Sequence, residues 1–287
     1  MDYIIITPAR NEAKFIEKTL QSVIGQTIKP KLWLIVDDGS TDSTGHIVEQ
    51  YILENDFIRL INLDSCSEQR AGGAKVVQAF NAGFNLVKNE EFDFIVKLDA
   101  DLILPNNYFE EIINYFESNP KVGLCGGYCL IERDGKYIQE GYSENHVRGA
   151  FKSYRKKCFT DIGGLKPIWS WDGTDEFEVI YHGWELKVLP LAVIHLRPTS
   201  AEYNLYGHSL KTGMEMYRIR TDLLSLFYLS LKQMPRKPLI FGSMLFVIGY
   251  LKAFLKGEPK LIEKDLGRFI RKFRYTQVRK KMHLSRD

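Results

Sequence analysis

Two aspartates, Asp99 and Asp101, interrupt the otherwise apolar segment FIVKLDADLILP, which runs from Phe94 to Pro105. Carboxylates at the end of a buried strand are costly unless a turn, a helix cap or a cation makes use of their charge. Mg²⁺ and Mn²⁺ prefer carboxylate oxygens and keep open positions for phosphate groups. The spacing therefore indicates a turn or a divalent metal site, and this segment alone leaves both open.

Polar residues also follow two other predicted strands. TPARNE comes after the first strand and DDGS after the second, as LDAD comes after the fourth. Ligands of open α/β sheets bind at the carboxyl ends of the strands, so three such ends on one edge predict a binding site. The sequence has no G-x-G-x-x-G turn and no P-loop. A bound nucleotide would therefore be held through metal-bound phosphates rather than at a glycine-rich turn.

The first 130 residues alternate between strand and helix patterns. Short, β-branched apolar segments predict five strands, and amphipathic segments between them predict four helices. This alternation favours an α/β fold with a mostly parallel, Rossmann-like sheet flanked by helices. The predicted strands are YIIIT, LWLIVD, FIRLINL, FDFIVKLD and VGLCGGYCLI.

The pattern loosens after Ile131. A hairpin is predicted around Asp134-Gly135, and a short helix in SYRKKCFTDIGGL that stops at two glycines. A further helix is predicted from Asp175 to His182, followed by the short strands ELKVL and AVIHLR, and the chain is predicted to be helical from Thr221 onward.

Composition limits the class of protein. The chain has 287 residues, of which 45% are hydrophobic, so it can bury a sizeable core and is not disordered. Four scattered cysteines without a C-x-x-C pair suggest neither a disulfide framework nor a zinc site, and favour a reducing cytoplasm. The N-terminal segment MDYIIITPARNE lacks the features of a signal peptide.

Charge is unevenly distributed. The net charge is +3, but the segment from Lys252 to Asp287 has twelve basic and four acidic residues, which leaves −5 for the remainder. Such a tail is typical of a solvated basic helix or of contact with an anionic partner such as a membrane. The apolar run from Leu239 to Leu251 is shorter than the ~20 residues of a spanning helix. It therefore predicts a packed helix or a peripheral contact at the inner face of the cell membrane.

The sequence resembles the family 2 glycosyltransferases, inverting enzymes with the GT-A fold. The resemblance extends from Ile4 to Arg197 in the order of the family's motifs. The matching segments are TPARNE, VDDGSTDST, RAGGAKVVQAFNAGF, VKLDADLILP, RGAFKSYRKKCFTDIGGLKPIWSWDGTDE and HGWEL.

This resemblance implies a GT-A domain over residues 1–220, with a nucleotide-binding half (1–131) and an acceptor and catalytic half (132–220). A basic helical extension would cover residues 221–287. It also implies a nucleotide-sugar site. Its residues would be Pro8, Ala9, Arg10 and Glu12 beside the nucleoside, Asp37 and Asp38 beside the base or ribose, Arg70, Gly72 and Gly73 in a loop, and the D-x-D element Asp99, Ala100 and Asp101.

The resemblance further implies a metal, Mg²⁺ or Mn²⁺, held chiefly by Asp101. Asp99 is a second candidate ligand. His195 is expected to be either a third ligand, a phosphate contact or a structural residue.

An acidic motif of the family, often Glu-Asp, precedes a Gly-aromatic pair by eleven residues. Here Trp171-Asp172 stands eleven residues before Gly183-Trp184. This match implies that Asp172 is the catalytic base, with Asp175 and Glu176 as competing candidates. From the residues alone, Asp172 would be a helix cap and the other two would be first-turn acids.

The implied function is inverting transfer of a sugar from a UDP- or GDP-linked donor to a glycan or a lipid-linked acceptor. A polyprenyl-phosphate sugar transferase is one alternative within this chemistry. A nucleotidyltransferase is another, although it would want a glycine-rich basic turn where TPARNE stands. A non-catalytic nucleotide-sugar-binding protein is the third, although all the acidic motifs are present. Nucleic acid is not an expected partner.

Overall fold

The computed structural model describes residues 1–64, 73–140, 146–197, 205–234 and 239–284. The chain forms two compact units. The first comprises Met1–Pro167 and Trp171–Pro198, and the second comprises Ile168–Ser170 and Thr199–Asp287. The predicted functional boundary between residues 220 and 221 stays a prediction.

The first unit contains one mixed sheet. Its strand order is β3-β2-β1-β4-β8-β6-β9-β5, with β7 paired to the outer part of β6. The strands are β1 (Tyr3–Ala9), β2 (Leu32–Asp37), β3 (Ile58–Asn62), β4 (Phe94–Leu98), β5 (Leu102–Ile103), β6 (Val122–Arg133), β7 (Lys136–Gln139), β8 (Phe151–Arg155) and β9 (Glu185–His195).

Six of these strands, β1, β2, β3, β4, β6 and β9, run in one direction, and β5, β7 and β8 run against them. The prediction of a mostly parallel α/β sheet is thus confirmed. Strands β2 and β4 are buried along their whole length and β1 nearly so, as expected for strands covered on both faces.

Six helices flank this sheet within the described part of the first unit. They are α1 (Ile16–Ile24), α2 (Thr44–Ile52), α3 (Ala74–Val87), α4 (Tyr108–Ser118), α5 (Lys156–Asp161) and α6 (Trp171–Tyr181).

Part of the predicted helix in SYRKKCFTDIGGL is wrong. Its first residues belong to β8, which lies between β4 and β6 and pairs with both. Ladder hydrogen bonds to two neighbours outweigh the local helix pattern, so the helix α5 begins only at Lys156.

The two predicted strands ELKVL and AVIHLR are one strand, β9. Pro190 lies inside β9 at a register irregularity, where Gly126 pairs with Val188 and Tyr128 pairs with Ala192. Proline cannot donate a ladder hydrogen bond, so an irregularity is where a strand tolerates it.

The second unit is helical. It contains α7 (Leu205–Arg218), α8 (Leu223–Gln233), α9 (Leu239–Leu255) and α10 (Lys264–Leu284). The helix α7 was not predicted, because its pattern is polar and contains glycines that disfavour helix formation. Asp222 caps α8 by accepting a hydrogen bond from the Ser225 amide at 2.9 Å. No helix among the described residues is long and apolar enough to cross a membrane.

Two glycines bring the backbones of α7 and α9 into contact. A Cβ atom at Gly213 would lie 1.8 Å from the Phe246 carbonyl oxygen, and one at Gly249 would lie 2.1 Å from the Leu210 carbonyl oxygen. The two backbones are too close for a side chain at either position, so the packing of α7 against α9 requires both glycines.

The substitution Gly249→Ala should therefore destabilise the protein. The added methyl group has to push α7 and α9 apart, and overpacking of this kind typically costs about 1–3 kcal/mol. Chemical denaturation measures the change in the free energy of unfolding. Gly173→Ala is the control, because a Cβ atom there meets nothing within 4 Å and alanine favours the helix by about 1 kcal/mol. Equal stability of the two variants would contradict the packing argument.

Candidate active site

The three polar strand ends meet because β1 lies between β2 and β4. Ala9 at the end of β1 is in register with Asp37 at the end of β2. The Asp38 amide donates to the Ala9 carbonyl oxygen at 2.9 Å, so the first turn is tied to the second. The expectation that these ends share one sheet edge is confirmed by the pairing.

Arg10 joins the first strand end to the second. Its side chain is buried, its Nη1 donates to the Asp38 carbonyl oxygen at 2.5 Å, and the same nitrogen lies 3.7 Å from the Asp38 carboxylate. Asp37 accepts a hydrogen bond from the Ser40 amide at 2.7 Å and so also caps the turn. Pro8 and Ala9 lie inside β1, and Ala100 is buried between the two D-x-D aspartates.

Asp101 faces two cationic side chains from the end of β9. His195 Nε2 lies 3.4 Å from one carboxylate oxygen of Asp101, and Arg197 Nε lies 3.5 Å from the other. Arg197 also forms an ion pair with the buried Glu12. The strand β5, which follows the D-x-D element, pairs with β9 and places Asp101 beside His195, although the two residues are almost 100 positions apart in the sequence. Arg197 is not among the site residues predicted from the sequence, and its position two residues after His195 is the signal that could have indicated it.

His195 has a second polar neighbourhood. Its Nδ1 lies 4.0 Å from Glu140, and Cys129, Glu140 and His195 place their donor atoms within 4.8 Å of one another. This nitrogen is buried and has no hydrogen-bond partner in the described part of the chain. Burial opposes charge on the ring, but Asp101, Cys129 and Glu140 outweigh it and raise the pKa of His195 to about 11.

Asp99 differs from Asp101 in its partner. Its carboxylate forms an ion pair with the buried Lys97. Burial raises the pKa of Asp99, while Lys97 lowers it and Asp101 raises it further. Lys97 lies 5.1 Å from the centre of the Trp171 ring, at the start of α6. A single ammonium group thus connects the D-x-D element to the helix that begins with the candidate catalytic acids.

Lys152 is the centre of a buried charge network. It stands opposite Lys97 in the β4–β8 register and is fully buried. Its ammonium donates to both carboxylate oxygens of Asp175 at 2.8 and 2.9 Å, to Glu176 at 3.3 Å and to the main-chain oxygen of Asp172 at 2.6 Å. Burial opposes this charge, but the carboxylates of Asp175, Glu176 and Asp172 prevail and raise the pKa of Lys152.

Asp175 and Glu176 have further partners. Tyr154 donates its hydroxyl to Asp175. The Val147 amide donates to Glu176 at 2.8 Å, and His146 lies 3.0 Å from the other oxygen of Glu176. Both carboxylates are buried, and protein groups donate hydrogen bonds to them.

The carboxylate of Asp172, unlike its main-chain oxygen, makes no hydrogen bond to this network. Its side chain is half-buried in the first turn of α6, and no hydrogen bond joins its carboxylate to any residue that the structure describes. Gly149 packs against it, since a Cβ atom there would lie 2.9 Å from the Asp172 Cβ. Among the three acids predicted as catalytic candidates, Asp175 and Glu176 thus accept hydrogen bonds from the protein, whereas the Asp172 carboxylate accepts none within the described residues.

Two predicted site residues, Arg70 and Gly72, lie outside the described residues. Gly73 is described and precedes α3 with a φ of 68°, a conformation that favours glycine.

Lys152→Met should destabilise the protein strongly. It would leave Asp175 and Glu176 buried without their cation, a change that typically costs about 3–5 kcal/mol. Chemical denaturation gives the free energy of unfolding. The matched control is Lys157→Met in the next helix, where an exposed lysine pairs with Asp161 and the expected cost is below about 1 kcal/mol. A small cost at position 152 would show that the network is not structural.

Comparison with known proteins identifies the family. The family model "Glycosyl transferase family 2" matches residues 4–167, and the chain belongs to this family. The resemblance stated from the sequence motifs is thereby confirmed.

Curated relatives include poly-beta-1,6-N-acetyl-D-glucosamine synthases. The Staphylococcus aureus (strain COL) protein is 27% identical over 207 residues, which are 64% of this chain and 47% of that protein. The Staphylococcus epidermidis protein is 26% identical over 197 residues, 62% of this chain and 44% of that protein. The matched part thus spans less than half the length of these relatives.

Solved structures share the fold. S. aureus TarS 1-349 in complex with UDP-GlcNAc has a TM-score of 0.55 at 16% identity, over 89% of this chain and 73% of that chain. The mannosyltransferase PcManGT from Pyrobaculum calidifontis in complex with GDP-Man and Mn²⁺ has a TM-score of 0.54 at 14% identity, over 96% and 80% of the two chains. These likenesses confirm the predicted GT-A type α/β fold.

Proposed function

We propose that the chain is an inverting glycosyltransferase that uses a nucleotide-sugar donor and a divalent metal, with Asp172 as the base. Family membership supports the reaction class. The observation that carries the mechanism is the difference between Asp172, whose carboxylate has no hydrogen bond within the described residues, and its occupied neighbours Asp175 and Glu176.

Donor binding is proposed at the joined ends of β1, β2 and β4. Arg10 and Asp38 form one wall, and the D-x-D element forms the other. The donor is proposed to be UDP- or GDP-linked, because similar folds have been solved with UDP-GlcNAc and with GDP-Man. The same edge of an open α/β sheet is where ligands generally bind.

The residues around Asp101 fit a divalent cation. One carboxylate oxygen of Asp101 lies 3.4 Å from His195 Nε2. The other oxygen of Asp101 lies 3.5 Å from Arg197, which is itself held by its ion pair with Glu12. Asp99 is paired with Lys97, which favours Asp101 as the carboxylate ligand. His195 would bind the ion only as a neutral imidazole, so metal binding would have to release the proton that Asp101, Cys129 and Glu140 hold on the ring. Mg²⁺ and Mn²⁺ both accept carboxylate oxygens, and the imidazole favours Mn²⁺. Such an ion would stabilise the charge that develops on the diphosphate leaving group.

Asp172 is proposed to take the proton of the acceptor hydroxyl. The hydroxyl oxygen forms a bond to the anomeric carbon as the bond to the nucleoside diphosphate breaks on the opposite face, which inverts the configuration. Lys152 holds the Asp172 main chain and Gly149 admits its side chain, so the carboxylate is positioned without being occupied. A base needs a free oxygen within hydrogen-bond reach of the proton it removes.

The acceptor is proposed to be a glycan or a lipid-linked sugar, in polysaccharide biosynthesis of the cell envelope. The curated relatives are named as synthases of poly-beta-1,6-N-acetyl-D-glucosamine, which supports a growing glycan. A polyprenyl-phosphate acceptor uses the same donor chemistry and is distinguished by direct assay. A nucleotidyltransferase is disfavoured by family membership, and a non-catalytic binding protein by the unoccupied carboxylate of Asp172.

Asp101→Asn should abolish metal-dependent chemistry. Loss of a charged ligand should reduce turnover of a nucleotide-sugar by about 10²-fold or more. It should also remove the stabilisation that donor and Mn²⁺ together give in thermal unfolding. Asp134→Asn, the same change at the exposed tip of the β6–β7 hairpin, is the control and should behave like the parent protein. Unchanged turnover in Asp101→Asn would refute the metal role.

Asp172→Asn should separate binding from chemistry. Removal of a general base lowers kcat by about 10²–10⁴-fold, while donor affinity and the free energy of unfolding should stay unchanged. Asp175→Asn is the paired variant, and it should lower the free energy of unfolding because it breaks the buried contact with Lys152. The base would be misassigned if Asp175→Asn lost turnover at unchanged stability while Asp172→Asn stayed active.

A further inference from the structure

The helices α8 and α9 expose apolar side chains at an unusual density. Of the 21 large hydrophobic residues that are exposed in the described part of the chain, 13 lie between Leu223 and Leu255. They include Phe241, which is 69% exposed, and Leu255, which is 81% exposed. Exposed apolar groups that are scattered singly need no explanation, whereas a cluster of this size marks an interaction surface.

These residues form a continuous face on each helix. On α8 Leu224 and Phe227 are three residues apart, and Leu223 and Phe227, like Phe227 and Leu231, are four apart, which keeps them on one side of the helix. On α9 the opposite side is buried and contacts α7 through Gly249 and Phe246. The two helices are joined by the Ser243 hydroxyl, which donates to the Ser230 carbonyl oxygen at 2.7 Å. The exposed apolar residues of both helices are called the apolar face below: Leu223, Leu224, Phe227, Leu231, Met234, Leu239, Ile240, Phe241, Met244, Ile248, Leu251, Phe254 and Leu255.

The segment that carries the apolar face is basic, and the nearest acids in the sequence, Asp222 and Glu258, border it at either end. From Leu223 to Gly257 the sequence contains no aspartate or glutamate. The same 35 residues contain five cations, Lys232, Arg236, Lys237, Lys252 and Lys256. The last two are exposed in and just beyond the final turn of α9. Lysines in such positions can lay their alkyl chains on an apolar surface and keep the ammonium group in a polar layer.

We propose that the apolar face of α8 and α9 inserts into the interfacial layer of an anionic membrane, with both helices lying on the membrane rather than crossing it. The helix α9 has 17 residues, fewer than the ~20 that a spanning helix needs. Helices with an apolar side and lysine-rich flanks bind in the plane of the interface. Anionic lipid headgroups also attract nearby lysines and arginines.

Charge decides between a membrane and a second copy of this chain. A symmetric contact between two apolar faces would bring the exposed Lys232, Lys252 and Lys256 of both copies to one interface, and the segment from Leu223 to Gly257 has no acidic residue to pair with them. An anionic bilayer supplies both the apolar layer and the opposite charge.

Sedimentation with lipid vesicles tests this surface in the full chain. The parent protein should bind vesicles of phosphatidylcholine that contain about 30% phosphatidylglycerol. The double variant Phe241→Asp and Leu255→Asp should bind at least about tenfold more weakly, because two inserted side chains become charged. The control variant Leu53→Asp and Leu86→Asp changes two equally exposed apolar residues outside the face and should bind like the parent.

A charge variant distinguishes electrostatic attraction to the lipid headgroups from insertion of the apolar side chains. Lys252→Glu with Lys256→Glu should weaken binding to the anionic vesicles, and raised salt should weaken binding of the parent. Circular dichroism checks that each variant is folded. If Phe241→Asp with Leu255→Asp does not fold, Leu224→Asp with Phe227→Asp on α8 replaces it as the variant of the apolar face. The proposal is overturned if the parent fails to bind anionic vesicles. It is also overturned if light scattering shows a dimer that the face variant dissociates while vesicle binding is unaffected.

Discussion

The candidate active site depends on a buried ammonium group, that of Lys152. A charge without access to water is tolerated only with close opposite charges, and Asp175 and Glu176 supply them from the first turns of α6. The same nitrogen binds the Asp172 main-chain oxygen, so the start of α6 is attached to the centre of the sheet. Because Trp171 lies against both Lys97 and Lys152, this attachment also sets the helix beside the D-x-D element.

The three neighbouring acids at the start of α6 differ in how they contact Lys152. Asp175 and Glu176 neutralise the lysine and are occupied by it, which makes them structural partners of the site. Asp172 accepts from Lys152 only through its main-chain oxygen, and its carboxylate has no hydrogen bond within the described residues. A similar division holds within the D-x-D element, where Asp99 pairs with Lys97 and Asp101 faces His195 and Arg197. In both cases a buried lysine pairs with some of the neighbouring acids and leaves one acid, Asp172 or Asp101, without a contact to it through its carboxylate.

The second unit follows a different physical constraint. Its helices α7 and α9 approach until their backbones touch, which only glycine permits at positions 213 and 249. One side of α9 is closely packed, and the other side is apolar and exposed. We have interpreted that side as a membrane surface, since the segment from Leu223 to Gly257 carries cations and no acids.

Local patterns in the sequence were sufficient for the α/β class, the five main strands of the first 131 residues, and the motifs at the strand ends. These features depend on neighbours within a few positions, such as the β-branched run of β1 or the acids after β4. The sequence could not show that residues 151–155 form a strand rather than a helix, because pairing with β4 and β6 decides it. It did not predict α7, because the glycine at position 213 is explained only by the close packing of α7 against α9. The sequence alone left Asp172, Asp175 and Glu176 in competition, since all three are acids within five residues. Only the tertiary structure distinguished their surroundings, because the position of Lys152 is set by a strand about twenty residues away.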